Sequence, residues 1–366
     1  MAAPAPPADL ESLRAQIDAI DRELLGLLNR RAGVATTIGE LKRAEGSPAF
    51  RPEREAAVID ALKRANGGPL PSDSVAPIWR EIMSACRSLE TPTRVAYLGP
   101  AGTFSELAAL GYFGSSIVRL PCANADEVFH ATSAGAADFG VVPVENSSEG
   151  VVTRSLDLFL TTPLSIVGET SLYVRHNLLR KSDSLEGIAA VCAHPQALAQ
   201  CHAWLSHHLP NAERRPVSSN AEGARLASID PTLAGIASER AASEYGLFVV
   251  APAVQDDAHN RTRFAIVAHP SSHPRPAASG HDCTSLVVSV ANRPGAVHDM
   301  LQPLKSHGVS MTRFESRPAR SGQWEYYFYV DIDGHPDQPN VARALAELHD
   351  ACAFFKLLGA YPVDAH

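Results

Sequence analysis

The sequence predicts a multidomain chain: an all-α segment, a longer α/β segment and a closing α+β segment. Three observations carry this. Residues 9–90 keep a helical spacing of apolar positions throughout. From Arg94 to about Pro270 short apolar runs alternate with helical stretches (RVAYLG then SELAALGYFG, ADFGVVPV then VVTRSLDLFL, GIAAVCAH then PQALAQCHAWL), the pattern of βα units in largely parallel sheets. Beyond the aperiodic stretch SSHPRPAASG, strand LVVSVA, helix GAVHDMLQPLKSHG, strand SMTRFESR, turn SG, strand WEYYFYVDI, helix NVARALAELHD and a short strand near FFKLLGA follow in the order βαββαβ, a ferredoxin-like arrangement. The expected boundaries are 1–8 disordered, 9–92 helical, 93–270 α/β, 271–283 linker and 284–366 α+β.

Three domains suit 366 residues, at about 150 per domain. With 45% apolar and 20% charged residues the chain is globular in character, not disordered. A formal charge of −8 argues against a nucleic-acid or anionic-membrane surface. No apolar run approaches the length that spans a bilayer, and Met1 to Ala8 lack the basic and apolar regions of a secretory signal, so a cytoplasmic protein is expected. The six cysteines are scattered without a CxxC pair. Cys192, His194, Cys201 and His202 fit no common zinc spacing and read as buried thiols and helix histidines. No metal or cofactor is expected.

The first helix has the cleanest periodicity. Leu10, Leu13, Ile17, Ile20, Leu24, Leu27, Val34, Ile38 and Leu41 form one seam, broken by Arg31 where an apolar residue is due. A seam arginine is costly unless paired, which points either to an anion held in the bundle or to a structural salt bridge. Lys42 is eleven residues on, close to three turns and about 16 Å away on the same face, so the two cations can clasp a small dianion. Arg14 is about 42 Å from Lys42 along the same helix and reaches such a ligand only from a second copy of the chain. The continuous seam independently suggests a homodimer.

The motifs LRAQID, LLNRR, GELK, RPERE and IWREIMSAC resemble the helical chorismate mutase domain fused to bacterial prephenate dehydratases. The resemblance implies an intertwined dimer that binds chorismate between helices, with Arg14 donated to the partner's site. Arg31 and Lys42 would hold the carboxylates and ether bridge, and Arg54 and Glu55 would complete the second helix's share. Cys86 and Glu90 stand where the family often has Ser and Gln; Arg51 stays outside the core set. The rearrangement needs no nucleophile or cofactor, only selection of the compact conformer and stabilisation of charge on the breaking ether oxygen, which suits Lys42 and a donor at Glu90.

In the α/β segment, GPAGTFS (Gly99 to Ser105) joins strand to helix, VPVENSSEG (Val142 to Gly150) runs a strand into polar residues, and NRTRF (Asn260 to Phe264) sets Thr262 between two arginines. Together with HPQALAQC and GIAS they resemble prephenate dehydratase, a fold of two α/β lobes similar to periplasmic solute-binding proteins. The resemblance implies expulsion of the ring hydroxyl with loss of CO2, aided by Thr262 as an oriented donor and supported by Arg261 and Arg263. It places Thr103, Glu145, Asn146, Ser147, Gln196, Gln200, Asn260 and Arg263 around prephenate; Ala193 replaces a hydroxyl residue common before HPQ. At the end of the chain, RPGAV and ESRP resemble the phenylalanine-binding motifs of the ACT regulatory domain. They assign Gly295, Ala296, Val297, Glu315, Ser316, Arg317 and Pro318 to the inhibitor, with Val297 in place of a more usual Leu. The function implied is a bifunctional mutase–dehydratase inhibited by phenylalanine. The alternative is a non-catalytic sensor of aromatic amino acids, which the presence of Thr262, Glu145 and the mutase cations disfavours. A fusion with prephenate dehydrogenase would need a dinucleotide fingerprint, which the sequence lacks.

Overall fold

The computed structural model describes residues 9–48, 50–319 and 326–363. The expected disorder of residues 1–8 and the turn at Ser321 and Gly322 lie outside the described residues. The helical segment forms α1 (Leu10–Glu45), α2 (Pro52–Ala65) and α3 (Ser72–Glu90). Asp9 starts α1 by accepting from the Ser12 N–H at 2.7 Å, and Gly46 ends it in the left-handed conformation at φ 68°. α3 packs on α1 at Gly39, where an added Cβ would lie 2.6 Å from Glu90 Cγ, so glycine permits the approach. Among the described residues the seam of the N-terminal half of α1 is left uncovered: Leu13, Ile17, Ile20, Leu24 and Leu27 are 45–61% exposed.

The α/β segment begins with a lobe of β1 (Arg94–Leu98), α4 (Phe104–Phe113), β2 (Val118–Cys122), α5 (Ala125–Ser133), β3 (Phe139–Asn146), β4 (Gly150–Val151), α6 (Thr153–Thr161) and β5 (Ser165–Tyr173). The chain then crosses into a second lobe of β6 (Asn177–Arg180), β7 (Ala190–Ala193), α7 (Pro195–Gln200), α8 (His202–His208), β8 (Glu213–Pro216), α9 (Asn220–Ile229), β9 (Leu233–Ala237), α10 (Glu239–Tyr245) and β10 (Phe248–Ala251). It returns as β11 (Arg261–Ala268). The last segment is β12 (Asp282–Ser289), α11 (Ala296–Ser306), β13 (Met311–Pro318), β14 (Tyr326–Asp333), α12 (Pro339–Ala351) and β15 (Phe354–Pro362), in the expected βαββαβ order. β12 starts at Asp282, just inside the expected linker.

The expected parallel pairing holds for β1 with β2 and β3, and for β7 with β8 and β9. Elsewhere it is corrected. β11 runs antiparallel between β3 and β5, and β6 antiparallel between β9 and β10, because the chain passes between the lobes twice and each return strand enters from the opposite end. The second lobe keeps a sheet of its own, ordered β10-β6-β9-β7-β8. The first lobe shares one ten-stranded sheet with the C-terminal segment, ordered β13-β14-β12-β15-β5-β11-β3-β1-β2 with β4 on β3. The join is β15 on β5, with Gly359 opposite Ile166. A Cβ on Gly359 would sit 1.9 Å from the Ile166 carbonyl oxygen, so only glycine fits there.

Phe50, just before α2, inserts into the first lobe's core against Phe113 and Phe139, with ring centroids 5.1 and 5.3 Å away. That aromatic plug fastens the helical segment to the α/β segment. Among the described residues no helix is long and apolar enough to cross a membrane.

Candidate functional site

Two clefts gather the polar residues. The first, of about 750 Å³, lies between the three helices and is lined by Arg31, Lys42, Arg54, Glu55, Cys86 and Glu90. Arg14 is absent from its lining and exposed, as its distance along α1 requires. Glu90 Oε2 is 3.8 Å from Lys42 Nζ, buried, and without a hydrogen-bond partner among the described residues. A buried oxygen left unsatisfied beside a cation is a place for a ligand's polar atom.

Arg51 also lines the cleft, although its guanidinium is bound to Glu53 at 2.8 Å. Arg87 is a residue that sequence reasoning missed. It is buried, ion-paired to Glu55, donates to the Phe113 carbonyl at 2.5 Å and lies 4.6 Å over the Phe50 ring. Burial raises the Glu55 carboxyl above its ordinary pKa, opposed by the Arg87 charge. Glu55 lines the cleft with one carboxylate oxygen held by Arg87. A signal for Arg87 does exist: it falls four residues after Met83, on the apolar face of α3, as Arg31 does on α1.

The second cleft, of about 520 Å³, opens between the lobes and brings together Thr103, Asn146, Gln196, Gln200 and Thr262. Thr262 on β11 stands directly opposite Asn146 on β3, and Asn146 Nδ2 donates to Thr262 Oγ at 2.8 Å. The Thr103 hydroxyl caps α4, accepting from Glu106 N–H and donating to the Leu98 carbonyl at 2.8 Å. Asn260 is buried behind the cleft, bonded to Asn146 and Gln200. His176, Glu149 and the Ser219–Asn220 start of α9 also line it and were not foreseen. A lone histidine before a short strand carries no spacing signal.

Three expected contacts are corrected. Glu145 and Arg263 face away from the cleft. Strand residues alternate sides, and a bulge between Arg263 and Phe264, opposite Val144, lets Pro143 and Asn146 both face the cleft with Thr262 and Phe264. Arg263 and Glu145 consequently meet the C-terminal segment: Arg263 contacts Asp331 at 2.8 Å, besides Glu169 of β5 at 3.3 Å, and Arg313 contacts Glu145 at 3.1 Å. Burial alone would weaken the Arg263 charge, but Asp331 and Glu169 hold its pKa above the ordinary value. Ser147 lies outside the lining too, its hydroxyl accepting from Arg261 N–H at 2.9 Å. Arg261, next to Thr262 on β11, lies over the Tyr173 ring at 5.4 Å. Ala193 is fully buried in the second lobe's core and does not line the cleft.

The C-terminal motifs are placed differently from each other. Gly295 adopts φ 79° at the start of α11, a conformation that favours glycine; Ala296 is buried and Val297 partly exposed. On β13, Arg313, Glu315 and Arg317 face inward while Ser316 and Pro318 face out. Arg317 donates to Thr153 Oγ at 2.7 Å and to Asp157 at 3.2 Å on α6. Tyr329 donates to the Leu156 carbonyl at 2.7 Å, and Lys356 donates to the Phe159 and Thr162 carbonyls at 2.7 and 2.6 Å. α6 is thus held along its whole length by the C-terminal segment, and residues 150–152 before it line the interlobe cleft.

Comparison with known proteins accounts for all three segments. Family models match residues 13–91 as chorismate mutase type II, 95–272 as prephenate dehydratase and 284–350 as ACT domain. A bifunctional chorismate mutase/prephenate dehydratase of Neisseria gonorrhoeae is 49% identical over 352 residues, covering 95% of this chain and 96% of its own. A prephenate dehydratase of Mycobacterium ulcerans is 38% identical over 280 residues, 74% of this chain and 88% of its own. The crystal structure of prephenate dehydratase in complex with L-Phe from Arthrobacter aurescens superposes with a TM-score of 0.67 at 36% identity, over 74% of this chain and 89% of that one. With a helical cleft of cations, an interlobe cleft around Thr262 and a ferredoxin-like end joined to it, the chain belongs to the family of bifunctional chorismate mutase–prephenate dehydratases with a C-terminal ACT domain.

Proposed function

We propose that the protein converts chorismate to prephenate in the helical cleft and prephenate to phenylpyruvate, CO2 and water in the interlobe cleft, with phenylalanine as feedback inhibitor. The observation that carries the catalytic reading over a mere sensor is the Thr262–Asn146 pair. Asn146 donates to the hydroxyl and leaves its proton for a leaving group. As the carboxylate of prephenate departs as CO2, its bonding electrons move into the ring and expel hydroxide. The hydroxide leaves as water once it takes a proton, and Thr262 is oriented to assist that departure. Incubating the pure protein with prephenate and following phenylpyruvate, with and without phenylalanine, tests the reading. Binding without turnover would leave the sensor.

The finer readings rest on the same geometry. The uncovered α1 seam and the distance of Arg14 from the cleft support a homodimer in which each chain gives Arg14 to the other's site. The family and the lack of a membrane-crossing helix among the described residues support a cytoplasmic enzyme.

Glu90 supplies a test of the mutase step. A carboxyl donates a hydrogen bond to the ether oxygen only when protonated, and an ionised Glu90 opposes the negative charge growing there. Glu90→Gln, whose amide N–H donates without needing a proton taken up, is expected to raise mutase kcat/KM several-fold. An unchanged kcat/KM would remove Glu90 from the donor role.

Regulation has its own test in α6. Lys356→Met deletes the cation at the carbonyl end of α6 without touching either cleft. The phenylalanine inhibition curve is expected to shift several-fold to higher concentration. An unchanged curve would disconnect α6 from inhibition.

A further inference from the structure

The interlobe cleft contains a directional chain of hydrogen bonds that begins at a residue with no role assigned so far. Gln200 Oε1 is 2.9 Å from His176 Nε2 and 3.1 Å from Asn260 Nδ2. A carboxamide oxygen can only accept, so both neighbours donate, and His176 carries its proton on Nε2. Asn260 has then spent its amide nitrogen on Gln200 and presents Oδ1 to Asn146 Nδ2 at 2.9 Å. The same Asn146 nitrogen donates its other proton to Thr262 Oγ at 2.8 Å. Thr262 therefore accepts from Asn146, and the one proton on its hydroxyl remains for the cleft.

Each amide in this chain has two orientations, and reversing one reverses its neighbour. In the reversed arrangement Asn146 turns Oδ1 toward Thr262, and the hydroxyl donates inward, away from a departing group. Three donors and acceptors oppose reversal: His176 at one end, the Glu149 carboxylate accepting from Gln200 Nε2 at 3.0 Å, and the Ser148 N–H donating to Asn146 Oδ1 at 3.0 Å. Glu149 is exposed and competes with water, whereas His176 is only 2% exposed. His176 is also held from behind, since its backbone N–H donates to Gln255 Oε1 at 2.9 Å and its carbonyl accepts from Val254 at 2.7 Å, which ties together the two crossings between the lobes. Its Nδ1 is buried without a hydrogen-bond partner among the described residues, and burial lowers the pKa of the ring. The neutral ring thus offers a single N–H, at Nε2.

Resting on the proposed dehydratase reaction, we infer that His176 is a positioning residue for it: through Gln200, Asn260 and Asn146 it sets the direction of the Thr262 hydroxyl. It touches no reacting atom. Its contribution is to the orientation of a donor, so its loss acts on turnover and not on substrate affinity.

The test compares His176→Leu with His176→Gln in the full chain, assaying prephenate turnover, KM, mutase activity and thermal unfolding together. Leucine fills space but cannot donate; a glutamine side chain can give an N–H to the same acceptor. The expected result for His176→Leu is a fall in dehydratase kcat on the order of tenfold with little change in KM and unchanged mutase activity. His176→Gln is expected to recover most of that loss. Wild-type turnover in the same assay checks the underlying reaction separately. Equal losses in the two variants, a loss confined to KM, or full kcat in His176→Leu would each overturn the inference. Should both variants misfold, Asn146→Asp decides: the near-isosteric carboxylate can only accept and would draw the Thr262 proton inward. Its expected loss is on the order of a hundredfold, and a kcat close to wild type would overturn the inference.

Discussion

Thr262→Ala is expected to reduce dehydratase kcat by about 10²–10⁴-fold, the range for loss of a positioned proton donor, while mutase activity stays at the wild-type level. The separation follows from geometry. The two clefts have no lining residue in common, and Thr262 lies on β11 in the first lobe, away from the three helices. The substitution removes a hydroxyl and leaves the strand pairing with β3 and β5 in place. Assaying chorismate and prephenate consumption on the same preparation checks both halves. Loss of the two activities together would mean that the chain had unfolded or that the sites are shared.

Arg14→Ala and Arg31→Ala are each expected to eliminate mutase turnover, yet a mixture of the two, unfolded and refolded together, is expected to recover part of it. In a dimer with crossed sites, one site of each mixed dimer loses both arginines and the other keeps both. Random pairing makes roughly half of the dimers mixed, so roughly a quarter of all sites regain activity. A mixed dimer without activity would place Arg14 and Arg31 in the same chain's site. The exposed seam of α1 then would need another partner.

The helical cleft is the most legible part of the sequence. A seam repeated over many turns fixes a face, so a cation interrupting it stands out from spacing alone, and Arg31 and Lys42 do line one cleft. Arg87 obeys the same rule on α3, but the motif around it points to its neighbour Cys86 and hides it. The interlobe cleft is harder to read. Its residues come from strand ends and loops, where one bulge decides which neighbour faces the substrate; for that reason Asn146 and Thr262 meet in the cleft while Glu145 and Arg263 turn their backs on it. His176 and the antiparallel return of β11 depend on contacts between distant residues, which local spacing does not encode. The order βαββαβ is legible from alternation, but its docking through Gly359 is not, because a glycine in a strand announces closeness without saying to what.

That docking has a consequence for how the molecule comes apart. Backbone pairing carried from β15 to β5 makes the ACT segment and the first lobe neighbours in one hydrogen-bonded ladder, whereas the second lobe owns a separate ladder. Cooperative opening units tend to follow such boundaries and not the order of the chain. Amide exchange is therefore expected to protect β5, β11 and β15 as one group, with β7 and β9 opening on a schedule of their own. A wedge at the join, Gly359→Val, should split the first group in two, because its side chain cannot fit against the Ile166 carbonyl. The ACT segment would then melt away from the lobe that carries Thr262.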